Sequence, residues 1–333
     1  MAAEIRIENL ASLAKYYDHP TLKQNWSLVF NLPVWLQAWW EAFGAEYELC
    51  LYSVWQEGAL IGIAPLMRRG EEARLLGSPD VCDYLDFVAV AGKESDLLKA
   101  LIPELQKQKI KRLILNAQRP DSVFFKGNSF ATAEAGDVKK LYSLHIRKDD
   151  NSYELLLASS WEDYLAGLNK KQRHEIRRKL RRLEEGAKSY RYRVISGKEE
   201  IESFIPCFFD LFQQNPEKAD FFTENMERYF RLLITAMAEA SLARFGLLEI
   251  DDITAAAVFY FDYRKRVYLY NSGYRSDYSD LSVGLLSKIL CIRDNIDKGR
   301  AVFDFLKGEE IYKSRLGGTA IPIHTATLSI TQH

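Results

Sequence analysis

Apolar residues in the first half of the chain recur first at helical and then at strand-like spacing. Residues 31–43 predict a helix with Pro33 in its first turn, because three tryptophans and Phe43 fall at near-helical spacing. The elements predicted after it are a strand, a second strand, a helix and a third strand, at residues 47–55, 60–67, 97–108 and 112–116. Helices and strands therefore alternate in this half.

The second half repeats this order with longer helices. Its predicted helices lie at residues 161–185, 201–213, 225–239, 281–297 and 309–316. Its predicted strands lie at residues 243–250, 253–263, 266–270, 301–306 and 326–330. A hairpin turn at Asp251 and Asp252 matches a similar turn at Glu57 and Gly58 in the first half. The two halves thus show a weak internal similarity, of a kind that many α/β proteins would share.

Strands that alternate with helices predict an α/β (α+β) fold built around a mixed sheet. A chain of 333 residues is longer than one compact core needs, so two domains are expected. We place the boundary near residue 150, within the polar run 147–152, which gives domains 1–150 and 151–333. Since no Gly/Ser-rich linker separates the halves, we expect them to pack closely.

Composition narrows the class of protein. The net charge is −1, which gives no long-range attraction to DNA or to an anionic membrane. Residues 1–10 lack an apolar signal region, and apolar stretches such as 255–261 are far shorter than a membrane-spanning helix, so we expect a cytoplasmic protein. The scattered histidines predict no metal site. The four scattered cysteines predict buried, reduced thiols.

Residues 268–316 predict an anion site where a strand leads through a polar loop into a helix. The first residues of that helix are Ser282, Val283, Gly284 and Leu285. The first amides of a helix lack intrahelical acceptors, and the helix dipole favours negative charge there. Ser282 suits an N-cap and Gly284 would let a phosphate approach, although an ordinary capped helix would show the same residues. Asn271 and Tyr274 border the loop, as candidate substrate contacts or as a turn residue and a packed aromatic.

The run 170–193 is strongly basic, with eleven Lys or Arg and three acids. Its apolar residues Ile176, Leu180 and Leu183 fall on one helical face, which is typical of a solvated amphipathic helix. The alternative is a surface that attracts phosphate, for CoA, a nucleotide-linked precursor or tRNA. In that case Arg173 and Arg177, four residues apart, could clamp one anion together.

Four segments resemble the acetyltransferase-like proteins of the CelD type, which belong to the GNAT (acyl-CoA N-acyltransferase) superfamily and are related to Fem-type peptidyl transferases. The segments, in order, are FNLPVWLQAWW at 30–40, LNKKQRHEIRRKLRRLE at 168–184, SVGLL at 282–286 and FDFLKGEEIYK at 303–313. Their order and spacing, rather than any single motif, carry the resemblance. The chain departs from the family pattern at Arg315 and Leu316, where an aromatic residue is expected.

This resemblance implies two GNAT-like domains, each with a mixed, mostly antiparallel sheet flanked by helices. It implies acyl-CoA (acetyl-CoA) as co-substrate, with no permanently bound cofactor. The pyrophosphate would lie on the helix start at 282–285, and the strand that includes Tyr270 and Asn271 would hydrogen-bond the pantetheine arm. The N-terminal half is expected to be a catalytically silent copy that walls off the acceptor channel, since 62–67 leads to no similar helix start.

The resemblance also implies direct attack of an amine on the thioester, helped by a base and by a donor for the oxyanion or thiolate. Asp304 is the first candidate for the base or for binding the acceptor amine, unless it is a structural acid. Tyr312 could protonate the thiolate, or it could pack on the sheet. Lys313 could bind phosphate, pair with Asp304 or lie on the surface. Glu310 could assist the acceptor amine, or it could be a solvated turn acid.

The leading interpretation is acyl transfer from acyl-CoA to an amine of a small molecule, sugar or cell-envelope precursor. One alternative is a Fem-type transferase that takes an aminoacyl group from tRNA. Such enzymes often carry a long helical arm, and this chain shows no heptad pattern of that length. The other alternative is a GNAT-like module that binds a partner without catalysis, against which the residues from Asp304 to Lys313 argue. The expected partners are therefore acyl-CoA and an amine, with tRNA as the alternative and neither DNA nor membrane insertion.

Overall fold

The computed structural model describes residues 3–128, 141–214 and 223–332. The chain forms two compact units, which we call the N-terminal unit (Met1–Asp150 with Pro322–His333) and the C-terminal unit (Asn151–Ile321). The predicted second domain ran to residue 333, whereas the observed C-terminal unit stops at Ile321. The reason is that the end of the last strand pairs with a strand of the N-terminal unit, with Thr327 opposite Ile114.

The described elements are numbered along the chain. The helices are α1 Leu10–Tyr17, α2 Pro33–Phe43, α3 Glu94–Lys107, α4 Val123–Asn128, α5 Trp161–Gly167, α6 Lys170–Gly186, α7 Lys198–Gln213, α8 Glu224–Glu239, α9 Val283–Asp297 and α10 Ile311–Arg315. The strands are β1 Glu4–Glu8, β2 Glu48–Gln56, β3 Ala59–Arg69, β4 Glu72–Leu75, β5 Val88–Ala89, β6 Arg112–Gln118, β7 Tyr142–Leu156, β8 Tyr190–Ile195, β9 Ala243–Ile250, β10 Ile253–Tyr263, β11 Arg266–Tyr274, β12 Val302–Lys307 and β13 Thr319–Ile330.

Each unit contains a mixed, mostly antiparallel sheet flanked by helices, which confirms the predicted fold class. The strand order is β1-β2-β3-β4-β6-β13 in the N-terminal unit, with β5 on β3, and β7-β12-β11-β10-β9-β8 in the C-terminal unit. One parallel pair occurs in each, β4 with β6 and β11 with β12, and a helix connects the two strands of each pair. Parallel neighbours require such a crossover.

The two predicted hairpin turns both form with left-handed backbone at their central residues. The φ angles are 54° at Glu57 and 78° at Gly58, and 50° at Asp251 and 63° at Asp252. Two-residue turns of this hand match the right-handed twist of the flanking strands. The local sequence signal was therefore sufficient for the hairpins.

The predicted helix over 161–185 is wrong, because two helices, α5 and α6, occupy this segment. Leu168 between them has an extended backbone with φ −78° and ψ 152°. Asn169 then caps α6: its side chain accepts from the Gln172 amide, and the Gln172 side chain accepts from the Asn169 amide. This reciprocal capping box starts a new helix inside a segment that has helical periodicity throughout.

Two strands of the C-terminal sheet were not predicted. The polar run 147–152 lies within β7. The end of the basic run, residues 190–193, belongs to the edge strand β8. In β8, Arg191 and Arg193 both pair with Glu249 of β9, while Tyr190 and Tyr192 pack against the core. The charges of this strand masked its alternating pattern.

The C-terminal sheet has apolar layers on both faces. On one face α9 packs against β10, β11 and β12 through residues such as Leu286, Ile289 and Phe303. On the other face lies an aromatic cluster, in which the Phe259 ring is 4.7 Å from the Phe245 ring and 5.9 Å from the Phe208 ring, centroid to centroid. Apolar packing on both faces thus stabilises the sheet that carries the candidate site.

Cys50, Cys82 and Cys291 are buried free thiols, whereas Cys207 is exposed, contrary to the prediction for all four. Cys207 lies on α7, a helix in which the buried residues follow the face towards the sheet, and a small apolar residue on the opposite face is left in solvent. Among the described residues, no helix is long and apolar enough to cross a membrane.

Candidate functional site

The parallel strands β11 and β12 separate where the candidate site begins. Their pairing covers three residue pairs and ends at Tyr268 with Asp304. β11 continues to Tyr274 and β12 to Lys307, and they form no further pairs with each other in the part of the chain that the structure describes. The two strands thus leave an opening between them at this point of the sheet.

A β-bulge at Tyr270 decides which residues of β11 face this opening. The register with β10 shifts between Phe259 and Tyr260, which leaves Tyr270 as an extra residue in β11. A bulge reverses the alternation of side chains beyond it. As a result Ser272 and Tyr274 point to the side of α9, where the Tyr274 ring packs against Gly284.

Helix α9 presents its first turn to the opening. Ser282 holds the N-cap position with left-handed backbone, φ 58° and ψ 40°, and its side chain makes no capping hydrogen bond. Its carbonyl accepts from the amides of Leu285 and Leu286, both at 3.0 Å. Within the described chain, the amides of Val283 and Gly284 have no hydrogen-bond acceptor. Two donors at the positive end of the helix are thus available to an anion.

A cavity of about 440 Å³ lies at this helix start. Its walls come from the end of β11, the following short helix at Ser276–Leu281, the first two turns of α9, and the segment that enters α10. The lining residues are Ser272, Tyr274, Ser279, Ser282, Val283, Gly284, Leu285, Lys288, Glu310 and Tyr312. The structure thus joins the predicted anion site to two of the four predicted catalytic residues.

Two of the sequence's expectations for this helix start need correction. Ser282 was expected to cap the helix with its hydroxyl, but its Oγ accepts a hydrogen bond from Nζ of Lys179 on α6 at 2.8 Å. Gly284 was expected to make room for a phosphate, yet a Cβ added there would lie 2.8 Å from Cδ1 of Tyr274. Glycine is therefore required at 284 for the close approach of the Tyr274 ring.

Lys179 brings a positive charge to the positive end of α9. Its side chain is 15% exposed, and its ammonium also pairs with Glu175 at 3.4 Å. A cation at a helix N-terminus opposes the helix dipole, which favours anions there. An anion bound beside Val283 would complement both charges. The basic run 170–193 therefore contacts the start of α9 through Lys179.

Lys288, one turn into α9, was not predicted from the sequence. It is 8% exposed and lines the cavity. Its Nζ donates to Oγ of Ser272 at 3.0 Å and to the carbonyl of Gly284 at 2.8 Å. It also lies 5.2 Å from the centre of the Tyr312 ring. A signal for it was present, because Lys288 follows Gly284 by four residues and so lies on the same helical face.

The segment from β12 to α10 is held in place by Lys313. This lysine is 1% exposed, and its Nζ donates to the carbonyls of Leu306 at 3.2 Å and Gly308 at 3.1 Å, and to that of Lys307. The same ammonium pairs with the carboxylate of Glu310 at 2.9 Å. Lys313 is thus neither a surface residue nor a partner of Asp304; it is enclosed by this turn and anchors Glu310 beside the cavity.

Tyr312 retains its proton over a wide pH range. Burial, with a smaller contribution from the negative charge of Glu310, raises the pKa of its phenol well above the usual range. Its ring contacts Phe305, with centroids 6.2 Å apart, while the residue also lines the cavity. The ring therefore packs against the sheet, and the neutral phenol remains a hydrogen-bond donor at the cavity.

Asp304, the first candidate for the base, does not line the cavity. It is completely buried, with its carboxylate 3.2 Å from the guanidinium of Arg266. The amide of Leu306 donates to its other oxygen at 2.9 Å. Arg266 also pairs with Glu154 of β7, opposite Asp304 in the sheet. The structure thus favours the alternative that Asp304 is a structural acid.

Arg173 and Arg177 do not converge on a common anion position. The guanidinium of Arg173 donates to the carbonyls of Leu165 at 3.3 Å and Leu168 at 3.4 Å, at the end of α5. Arg177 makes an exposed ion pair with Glu162 at 3.4 Å. The first therefore caps a helix, and the second lies on the surface.

Tyr270 and Asn271 belong to β11, so Asn271 is not a turn residue. The Tyr270 ring joins the aromatic cluster on the opposite face, 5.2 Å from the Phe261 ring, so its side chain points away from the cavity. Asn271 pairs with Phe259 across the sheet. The side chains of β11 that line the cavity are instead Ser272 and Tyr274.

Comparison with known families supports this arrangement. The model of the acetyltransferase (GNAT) domain matches residues 170–314, which include the cavity and Lys179. This match covers a little under half of the chain. The resemblance in the sequence is thereby confirmed, and the strand opening and the helix start both lie within the matched residues.

Solved structures share the fold of the whole chain. FemX has a TM-score of 0.62 at 11% identity, with 98% of this chain and 97% of FemX aligned. A conserved protein from Bacteroides thetaiotaomicron gives 0.60 at 12%, covering 98% and 99%. A tandem GNAT protein from the clavulanic acid biosynthesis pathway gives 0.52 at 13%, covering 99% and 100%. At these identities the likeness shows the tandem GNAT fold alone.

No protein with a curated description matches the sequence. Within residues 3–128, 141–214 and 223–332, no group of three His, Cys, Asp or Glu side chains could hold a metal ion. The chemistry of the GNAT domain must accordingly be argued from the cavity residues themselves.

Proposed function

We propose that this protein transfers an acyl group from acyl-CoA to an amine by direct attack of the amine on the thioester. The observation that carries the proposal is one cavity of about 440 Å³ that joins a helix start with free amides to Glu310 and Tyr312. An anion site and two groups suited to proton transfer then serve the same bound molecule.

The donor's diphosphate would bind at the start of α9. The amides of Val283 and Gly284 supply two hydrogen-bond donors, and Lys179 adds a full positive charge next to Ser282. Hydrogen bonds with an ionised partner are about twice as strong as neutral ones. The pantetheine arm would then run along the opening between β11 and β12, towards Glu310 and Tyr312.

Glu310 replaces Asp304 as the proposed base. Its side chain is 57% exposed and lines the cavity, so an acceptor amine can reach it. Lys313 and the turn carbonyls that it binds fix the carboxylate in place. Tyr312, two residues later, keeps its phenolic proton and would give it to the departing thiolate.

Ligand-dependent thermal stability tests the donor. Acetyl-CoA, a longer acyl-CoA and free CoA at 100 times their dissociation constants should each stabilise the fold by about 2.7 kcal/mol. Lys179→Met should weaken CoA binding about tenfold, or roughly 1.4 kcal/mol, because it removes the cation at the helix start. Arg181→Met is the matched control, since Arg181 lies on the same helix, is 67% exposed and pairs with Glu185.

If CoA and its thioesters leave the wild-type stability unchanged, the proposed donor is wrong. If Lys179→Met and Arg181→Met bind CoA equally well, the diphosphate does not lie beside Ser282. The acceptor is sought separately, by release of free thiol from acetyl-CoA in the presence of amino sugars, amino acids or polyamines.

A further inference from the structure

Lys288 is a cation enclosed in the wall of the GNAT cavity. Its ammonium contacts three different elements: the Ser272 hydroxyl on β11, the Gly284 carbonyl on α9 and the Tyr312 ring on α10. With 8% of the residue exposed, the position of the charge is fixed by these contacts. The end of a lysine side chain is thus held where three walls of the cavity meet.

The reacting atoms must lie close to this charge if the proposed function is correct. The amine must approach Glu310 to lose a proton, and the sulfur must approach Tyr312 to gain one. Both residues line the same cavity as Lys288, and the Tyr312 ring centre is 5.2 Å from Nζ of Lys288. The carbonyl carbon between amine and sulfur therefore lies in the region that Lys288 faces.

A fixed positive charge in such a place acts on negative charge that develops during the reaction. The field of an ion is much stronger in an enclosed site than in water. A charge that is already positioned needs no reorganisation when the oxyanion forms, and this is usually a large part of catalysis. The contacts of Lys288 with Ser272 and Gly284 provide that positioning.

We propose that Lys288 is a catalytic residue that polarises the thioester carbonyl and stabilises the oxyanion; this rests on the proposed acyl-CoA function. The amine nitrogen forms a bond to the carbonyl carbon, and the carbonyl electrons move to the oxygen facing Lys288. The C–S bond then breaks as the carbonyl reforms. Glu310 takes the proton of the amine, Tyr312 protonates the thiolate, and solvent restores both groups.

The test uses the bound donor and needs no acceptor. Acetyl-CoA carrying ¹³C at the carbonyl is bound to the full-length protein, and isotope-edited infrared difference spectra report the carbonyl stretch. We expect the band of the wild-type complex at lower frequency than that of free acetyl-CoA, because a polarised carbonyl has less double-bond character. In Lys288→Met the band should return towards the free position while acetyl-CoA still binds at saturating concentration.

The matched control is Lys298→Met, at the C-cap of the same helix, since Lys298 is 41% exposed and pairs with Asp294 away from the cavity. This variant should keep the wild-type band. Where an accepting amine is used, Lys288→Met should lose about 10²–10³-fold in kcat, the usual cost of removing one oxyanion donor. If Lys288→Met fails to fold, Lys288→Gln keeps the length and polarity of the side chain without its charge.

A band at the same frequency in wild type and Lys288→Met would overturn the proposal. So would a folded Lys288→Met that no longer binds acetyl-CoA at all, because Lys288 would then be a donor-binding residue. These results differ from failure of the proposed function itself, in which the wild type binds no acetyl-CoA and shows no bound carbonyl band.

Discussion

Both units contain a helix that connects two parallel strands. They differ in the residues that surround the first turn of this helix. In the N-terminal unit α3 connects β4 to β6, and its first turn carries Glu94 and Asp96. In the C-terminal unit α9 connects β11 to β12, and its first turn carries no acid. Carboxylates of the helix itself interact favourably with the positive end of its dipole, and they repel a phosphate.

The surroundings reinforce this difference. The α9 start has Lys179 beside Ser282 and opens into a cavity of about 440 Å³. Two cavities within the N-terminal unit, lined by residues such as Asp86 and Asn116, have volumes of about 30 Å³ and 40 Å³. The first turn of α3 thus carries two carboxylates, whereas that of α9 carries none and opens into a cavity. We infer from this difference that the N-terminal unit does not bind the donor's diphosphate.

The largest expected effect comes from Glu310, the proposed base in the C-terminal unit. Glu310→Gln should lower kcat by about 10²–10⁴-fold, the usual contribution of a positioned general base, while CoA binding stays close to the wild-type value. The loss of kcat is measured from steady-state rates of thiol release, with an amine that the wild type accepts.

Glu309→Gln provides the control for this variant, since Glu309 is exposed, adjacent in sequence and bonded to Asn151 at 2.6 Å. It should leave turnover unchanged. Wild-type turnover in Glu310→Gln would exclude Glu310 from proton transfer and would contradict its proposed role as the base.

A second variant gives α9 the acidic start that α3 has. Ser282→Asp places a carboxylate next to Lys179 at a residue with φ 58°, a conformation that Asp tolerates. The fold should gain about 0.3–1 kcal/mol from the helix dipole, and CoA affinity should fall at least about tenfold through repulsion of the diphosphate.

Urea unfolding and calorimetric titration with CoA would measure these opposite effects of Ser282→Asp. The neutral variant Ser282→Asn separates charge from shape and should weaken CoA binding less. If Ser282→Asp binds CoA as tightly as the wild type, the first turn of α9 is not the diphosphate site. The difference in charge between the two helix starts would then not explain why only one unit binds CoA.

The smallest expected effect concerns a buried acid of the N-terminal unit. Burial raises the pKa of Asp86 to about 7, although the amides of Phe87 and Val123 donate to its carboxylate. The folded state therefore favours the protonated form, and the stabilisation that this provides is complete below pH of about 4 and is lost as pH rises to about 7.

Asp86→Asn should lack this dependence while leaving CoA binding unchanged. Urea unfolding at several pH values between 4.5 and 7.5 would show the wild type losing stability relative to the variant as pH rises. Parallel stability curves for the two proteins would contradict the assignment. In the N-terminal unit the carboxyl with a raised pKa, Asp86, thus holds the start of α4, whereas the proposed base Glu310 is accessible.

Part of the candidate site could be predicted from the local sequence. The start of α9 was predicted within two residues, because a polar loop followed by an apolar helical pattern marks a helix N-terminus. Glu310 and Tyr312 were named as candidates, but Asp304 was ranked first because it lies on the strand beside the opening. Its neighbour across the sheet, Glu154, and its partner Arg266 come from distant segments, so their contacts were not visible in the sequence.

By itself, the sequence determined most of the helices, two hairpins and the α+β class, because these depend on periodicity and on turns of a few residues. Only the tertiary structure decided which charged residues meet in the cavity. The bulge at Tyr270 turns Ser272 towards α9, and the left-handed turn at Leu306 and Gly308 directs Glu310 to the cavity. Both are set by pairing and packing with segments far away in the chain. The type of a residue can be taken directly from the sequence, whereas the direction of its side chain depends on pairing with distant segments.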